Sequence, residues 1–179
     1  MKFLHNMKND VLTLSMGDGV KAMEWSIDSA FVVHPDFKSR VGGTMGFQNG
    51  LGRPIRISAK QKLNTESLTM AELVGVDYVM PMVLWVPLFL EKQGYKVEDN
   101  VIYQDNKSTI LLAKNGKVSS GKCTRALNVR YFYITDQIER GNVRIEYCLT
   151  DEMTSDYLSK GLQGMKFTKF QGQIMCFKN

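Results

Sequence analysis

Four carboxylates in this 179-residue chain fall where they could do chemistry together: Asp28, Glu72, Asp105 and Asp156. Asp28 interrupts the largely apolar run Trp25-Ser26-Ile27-Asp28-Ser29-Ala30-Phe31-Val32-Val33. A carboxylate inside a core strand needs a partner or a metal. Asp105 closes the strand-like run Val101-Ile102-Tyr103-Gln104, at the end of a strand where open α/β sheets place their ligands. Glu72 lies in the first turns of a helical stretch, and Asp156 in a short helix near the C-terminus. If the strands bearing Asp28 and Asp105 run side by side and parallel, the two acids meet across one strand spacing. Glu72 would then reach them from the helix, and Asp156 would close the ring. Carboxylates so placed cannot all stay ionised without cations. Hard oxygen donors suit Mg²⁺, with Mn²⁺ as the alternative. Two such ions about 4 Å apart can activate a water and stabilise the leaving oxygen of a phosphodiester. Taken singly, each acid also has an ordinary role. Asp28 can be a hydrogen-bonded core residue, Glu72 and Asp105 helix caps, and Asp156 a solvated helix residue.

The elements that must position these acids follow from periodicity. Residues 25–33 form a strand apolar on both faces, the mark of a central strand. Residues 38–47 form a second strand, with Gly42-Gly43 where side chains must be absent. Asn49-Gly50 is a strong hairpin signal, and residues 55–60 alternate as a third strand. Ser67 is a suitable N-cap for a long helix through Glu72, and Thr69 with Glu72 matches a capping box. Pro81 and then Pro87 are predicted to kink or interrupt this helix, which ends at Gln93-Gly94. A strand over 101–105 then pairs in parallel with an earlier one, because the crossover is long. Helices over 108–114 and 126–139, a strand over 143–147, a short helix over 151–161 and an amphipathic turn near 167–170 complete the order β-β-β-α-β-α-α-β-α. No internal repeat or linker divides the chain.

Composition narrows the class. The chain is long enough for one domain with a real core. Hydrophobic residues at 44% and charged residues at 23% are those of a soluble globular protein. The net charge of +5 favours an anionic partner such as nucleic acid, or serves plain solubility. Three cysteines, Cys123, Cys148 and Cys176, are widely spaced, which argues against a disulfide framework or a zinc site and for an intracellular compartment. The N-terminus lacks the apolar run of a signal peptide. Residues 79–90, the longest apolar stretch, are too few to span a bilayer, so no membrane is expected.

Four stretches carry a resemblance. Residues 25–31, residues 61–73, Tyr103-Gln104-Asp105-Asn106-Lys107-Ser108 and Asp156-Tyr157-Leu158-Ser159-Lys160 resemble the ribonuclease H domain of copia-type retrotransposon polyproteins, in order and with matching gaps over about residues 20–165. The resemblance implies an α/β, RNase H-like fold. Its five-stranded mixed sheet would hold an antiparallel meander of the first three strands, parallel fourth and fifth strands, and flanking helices. It implies two-metal hydrolysis of the RNA strand of RNA/DNA hybrids, with two Mg²⁺ ions, or Mn²⁺, on Asp28, Glu72, Asp105 and Asp156. It also implies residues 1–20 as a connector to a reverse-transcriptase region, 21–165 as the domain and 166–179 as a tail. The domain would be monomeric, in the cytoplasm, a virus-like particle or the nucleus. Two departures weigh against full activity. The family commonly has His where Ala126 stands, and often His-Phe near Phe132-Tyr133, and such a His can assist proton transfer or product release. Pro87 falls where the long helix should continue.

A hybrid would be gripped through its phosphates by Lys and Arg. Lys38, Arg40, Lys60, Lys62, Lys107, Lys122, Arg125 and Arg130 are the candidates, with Asn64, Ser67 and Asn106 for sugar 2′-hydroxyls. Each cation singly can equally be a solvated surface residue. The expectation is a hybrid-cleaving nuclease. The alternatives are an impaired module that binds nucleic acid without cutting it, and a remnant with neither property.

Overall fold

The computed structural model describes residues 11–17, 19–115 and 125–176, with side chains described from residue 129 onward in the last segment. Three antiparallel strands come first: β1 (Ala22–Ala30), β2 (Arg40–Phe47) and β3 (Ile55–Lys60). The long helix α1 (Leu68–Lys92) crosses over to β4 (Asp99–Gln104). Helices α2 (Lys107–Asn115) and α3 (Arg125–Glu139) then lead to β5 (Arg144–Tyr147). A 3₁₀ turn (Thr150–Glu152), the short helix α4 (Asp156–Ser159) and α5 (Gly164–Met175) complete the chain.

The strands form one mixed sheet in the order β3-β2-β1-β4-β5. β1 pairs antiparallel with β2 and parallel with β4, and β4 pairs parallel with β5. β1 is therefore central, which explains why its sequence is apolar on both faces. The last β1–β4 pair is Ser26 with Tyr103. Two residues further along both strands, that register sets Asp28 level with Asp105. Trp25 and Ile27 face the core cluster that also contains Leu73, Val76, Val79, Met80 and Val83 of α1. The opposite parity, Ser26 and Asp28, faces the segment that ends in α4.

Two expected breaks do not occur. Helix α1 runs unbroken for 25 residues through Pro81 and Pro87. A proline deprives the carbonyl four residues earlier of its N–H partner. For Pro87 that carbonyl belongs to Val83, and Asn100 Nδ2 donates to it at 2.9 Å. The Asn100 amide group also donates to Asn142 O at 3.2 Å and accepts from Trp25 Nε1 at 3.0 Å. A buried side chain on β4 thus restores the bond that Pro87 removes, so the helix continues. The capping box is also absent. Ser67 Oγ accepts from Met70 N at 3.2 Å, which places Glu72 beyond the capping turn.

The C-terminal region differs from expectation in extent. The short helix splits into the 3₁₀ turn and α4, and the expected amphipathic turn is a 12-residue helix, α5, with Phe170 and Ile174 buried. Helix α5 crosses the expected boundary at residue 165. By length and composition α1 could cross a membrane, but half of its most apolar window is buried inside the protein. A core helix passes the same length and composition test.

The substitution Asn100→Ala is expected to cost about 2–3 kcal/mol, because it orphans the Trp25 indole N–H and the Val83 carbonyl. In a Pro87→Ala background the cost should shrink, since the restored N–H can serve Val83. Urea unfolding of the two single variants and the double variant measures this coupling.

Candidate metal centre

Each acid reaches the site because something small or polar holds its element close. Asp28 pairs across the sheet with Gly42 of β2. A Cβ on Gly42 would lie 2.4 Å from Ser155 O and 2.7 Å from Ser159 N. The missing side chain lets the α4 segment lie directly on the sheet. Hydroxyl pairs fasten it there, Ser26 with Ser155 at 2.8 Å and Thr44 with Thr154 at 2.6 Å. On the other face, a Cβ on Gly75 would lie 2.4 Å from Ser29 Oγ. Helix α1 therefore approaches β1 closely enough for Glu72, one turn earlier, to reach the strand end.

Asp28, Glu72 and Asp105 converge. One carboxylate oxygen from each lies within 4.8 Å of the others. They line a cleft of about 290 Å³ together with Leu68, Asn106 and Lys160. Asp28 and Glu72 are almost fully buried, and Asp105 partly so. Burial pushes the Glu72 carboxyl well above its ordinary pKa, and the charges of Asp28 and Asp105 push it the same way. Burial also raises Asp28, opposed by Lys160 and by the Ser159 hydroxyl. Three oxygen donors that repel one another on rigid elements are a set that fits a hard divalent cation.

Asp156 lies apart from that group of three. It is buried, and both of its oxygens are taken: Lys160 Nζ at 2.7 Å from Oδ1 and Lys166 Nζ at 2.8 Å from Oδ2. It reaches the triad through Lys160, whose ammonium also lies 3.1 Å from Asp28 Oδ1. Ser159 Oγ donates to Asp28 Oδ2.

The sequence reading missed several of these groups. Gln104, fully buried, donates to Glu72 Oε2 at 3.2 Å and accepts from the backbone N–H of Asp105 at 2.8 Å. One amide therefore sets two of the three acids. A glutamine next to Asp105 in a buried strand was the available signal. Thr150 Oγ1 holds Asp105 Oδ2 at 2.8 Å. Lys160 and Ser159 stood in a quoted motif, without a role.

The expected nucleic-acid contacts are scattered. Lys60 is paired with Asp36 at 2.7 Å, and Arg130 is paired with Asp77. Arg40 donates to Ser58. Lys62 and Asn64 are exposed on the approach to α1. Lys107 stacks over the Tyr147 ring at 4.8 Å. Asn106 is the cap of α2, its Oδ1 accepting from Ser108 N and Thr109 N, and Ser67 Oγ is the cap of α1. Lys122 and the side chains of Arg125 and Ala126 lie outside the described residues.

The chain matches known proteins in sequence and in fold. It is 27% identical over 126 residues to the retrovirus-related Pol polyprotein from transposon TNT 1-94 of Nicotiana tabacum. It is 30% identical over 122 residues to that from transposon RE2 of Arabidopsis thaliana. These matches cover 70% and 68% of the chain but only 9% and 8% of the two polyproteins. No protein-family model matches. Among solved structures, the N-terminal RNase H domain of a Mycobacterium tuberculosis protein superposes with a TM-score of 0.54 at 12% identity, covering 84% of this chain and 96% of that one. LC11-RNase H1 in complex with an RNA/DNA hybrid gives 0.53 at 13% identity, covering 76% and 92%. At such identities the likeness is one of fold: the five-stranded RNase H sheet with its flanking helices.

Glu72 makes the metal-free protein sensitive to pH. Its folded pKa is raised, so the stability linked to its proton is fully present below the ordinary glutamate pKa and is lost as pH climbs through the raised one. At neutral pH, Glu72→Gln should therefore stabilise the metal-free chain by on the order of 1 kcal/mol, or about 2–4 °C in Tm. At pH 4 the difference should vanish. Thermal melts in a chelator at the two pH values check it.

Proposed function

For a chain related to the Pol polyproteins of copia-type transposons and built on the RNase H-like fold, we propose hydrolysis of the RNA strand of RNA/DNA hybrids, assisted by divalent cations. The observation that carries this is the convergence of Asp28, Glu72 and Asp105, from two strand ends and a helix, within 4.8 Å. These residues would hold Mg²⁺, or Mn²⁺, with Asp156 completing a two-ion set. When bound, such ions lower the pKa of a water and neutralise charge that develops on the phosphodiester.

The chain's own part is to keep the donors still. Gln104 orients Glu72, Thr150 orients Asp105 and Ser159 orients Asp28. Preset donors cost no reorganisation when the phosphate arrives. In this reading the exposed Lys62 and Asn64, and Lys107 two residues after Asp105, would meet phosphate and sugar. The substrate is inferred from the fold and from the polyprotein relatives, and two of the solved neighbours, LC11-RNase H1 and a foamy viral protease-reverse transcriptase, are in complex with an RNA/DNA hybrid. In this reading residues 1–20 lead from a reverse-transcriptase region of the same polyprotein, and the domain works inside the cell as a monomer. The alternative of binding without cutting drew support from Ala126 and from Pro87. Asn100 accommodates Pro87, so Ala126 is the departure that still favours it.

A labelled hybrid incubated with the chain and Mg²⁺ tests the proposal. Cleavage is expected, with Asp105→Asn or Asp28→Asn lowering kcat by roughly 10³-fold, the scale of losing a principal transition-state contact. Hybrid binding should survive both substitutions and weaken steeply with salt. Salt-sensitive binding without turnover in the unaltered chain would favour the non-cleaving alternative.

A further inference from the structure

We propose that the Lys160 ammonium occupies the place of a second cation between Asp28 and Asp156. The resting chain would then hold one divalent ion and admit another only by displacing this side chain. This inference rests on the metal-site reading above and deepens it.

Lys160 Nζ lies 3.1 Å from Asp28 Oδ1 and 2.7 Å from Asp156 Oδ1. Both carboxylates are about 1% exposed, so neither has water to replace a lost cation. The remaining oxygen of Asp156 is held by Lys166, and that of Asp28 by Ser159. Asp156 is thus fully engaged by ammonium groups, whereas no ammonium pairs with Glu72 or Asp105 among the described residues. Four carboxylates stand at this end of the sheet, and two ammonium groups face them: Lys160 between Asp28 and Asp156, and Lys166 between Asp156 and the exposed Asp151 at 3.7 Å. The three converging oxygens of Asp28, Glu72 and Asp105 are where a single divalent ion belongs.

Displacement is built in. The Lys160 side chain is 37% exposed and sits on a flexible four-carbon stem. It borders the cleft of the triad and also a neighbouring one lined by His34, Arg40 and Leu158. On leaving Asp28 and Asp156 the ammonium has an open, solvent-facing cleft to enter. From there it can meet a substrate phosphate as a point charge. The second ion and the lysine are then alternatives at one position, and substrate binding favours the exchange.

Counting ions tests this. Mn²⁺ titrated into the metal-stripped chain, followed by calorimetry and by the EPR signal of free Mn²⁺, should give one ion per chain. Lys160→Met should give two, and Lys160→Arg, which keeps the charge, should give one again. Two ions in the unaltered chain, or one in Lys160→Met, would overturn the inference and leave the metal site standing. Absence of any bound ion, with Asp105→Asn unchanged from the parent, would overturn the metal-site reading and this inference with it. Should Lys160→Met fail to fold, Lys160→Gln, also uncharged, takes its place: two ions are expected, and one would overturn the inference.

Discussion

Charges of one sign forced together out of water are the constraint on which this structure turns. Asp28 and Glu72 are buried almost completely, and Asp105 stands against them. Left alone, such a group resists folding. The chain answers with backbone and side-chain donors on three sides. Gln104 and the Ser29 N–H serve Glu72, Ser159 and Lys160 serve Asp28, and Thr150 serves Asp105. What these donors leave unneutralised is what a bound cation would relieve. Under the proposed metal-dependent function, stability and function would be coupled at one place, because the cost of assembling the acids would reappear as affinity for the ion.

The rest of the fold brings that place about. A parallel β1–β4 pair at the centre of the sheet sets Asp28 and Asp105 level. An unbroken α1 carries Glu72 onto them, and two glycines, Gly42 and Gly75, let elements on opposite faces pack closely against the sheet. Asn100 belongs to the same design, although it lies at the other end of β4. It ties Trp25 of β1 to Val83 of α1, so the strand and the helix that carry two of the acids are fastened to each other away from the acids as well.

Much of this could be read from the residues. Strand periodicity gave the meander, the length of the helical crossover gave the parallel pairing, and an acid in the middle of an apolar strand marked Asp28. Glu72 was legible only as a member of a set, because its spacing from Thr69 mimics a capping box. Asp156 illustrates the limit. Its type and position said carboxylate near a metal, but Lys160, Lys166 and the sheet determine what it touches, and those contacts are 4 and 10 residues away or across the fold. Pro87 shows the same limit in reverse. Local chemistry predicts a broken helix, and one side chain 13 positions later, Asn100, cancels the prediction. Local rules fail where a distant donor or acceptor supplies what the local sequence lacks.

The Thr13 N–H donates to the carbonyl of Met175 at 2.9 Å, and Arg53 N donates to Ile174 O beside it. The first and last described segments thus meet at a single edge of the molecule, next to the β2–β3 hairpin. A polypeptide that enters and leaves through one doorway can be spliced into a longer chain without stretching either flank. The same adjacency makes a circularly permuted version, with the segments at Thr13 and Met175 joined and new ends opened in an exposed loop, compatible with the described contacts at the acidic cleft.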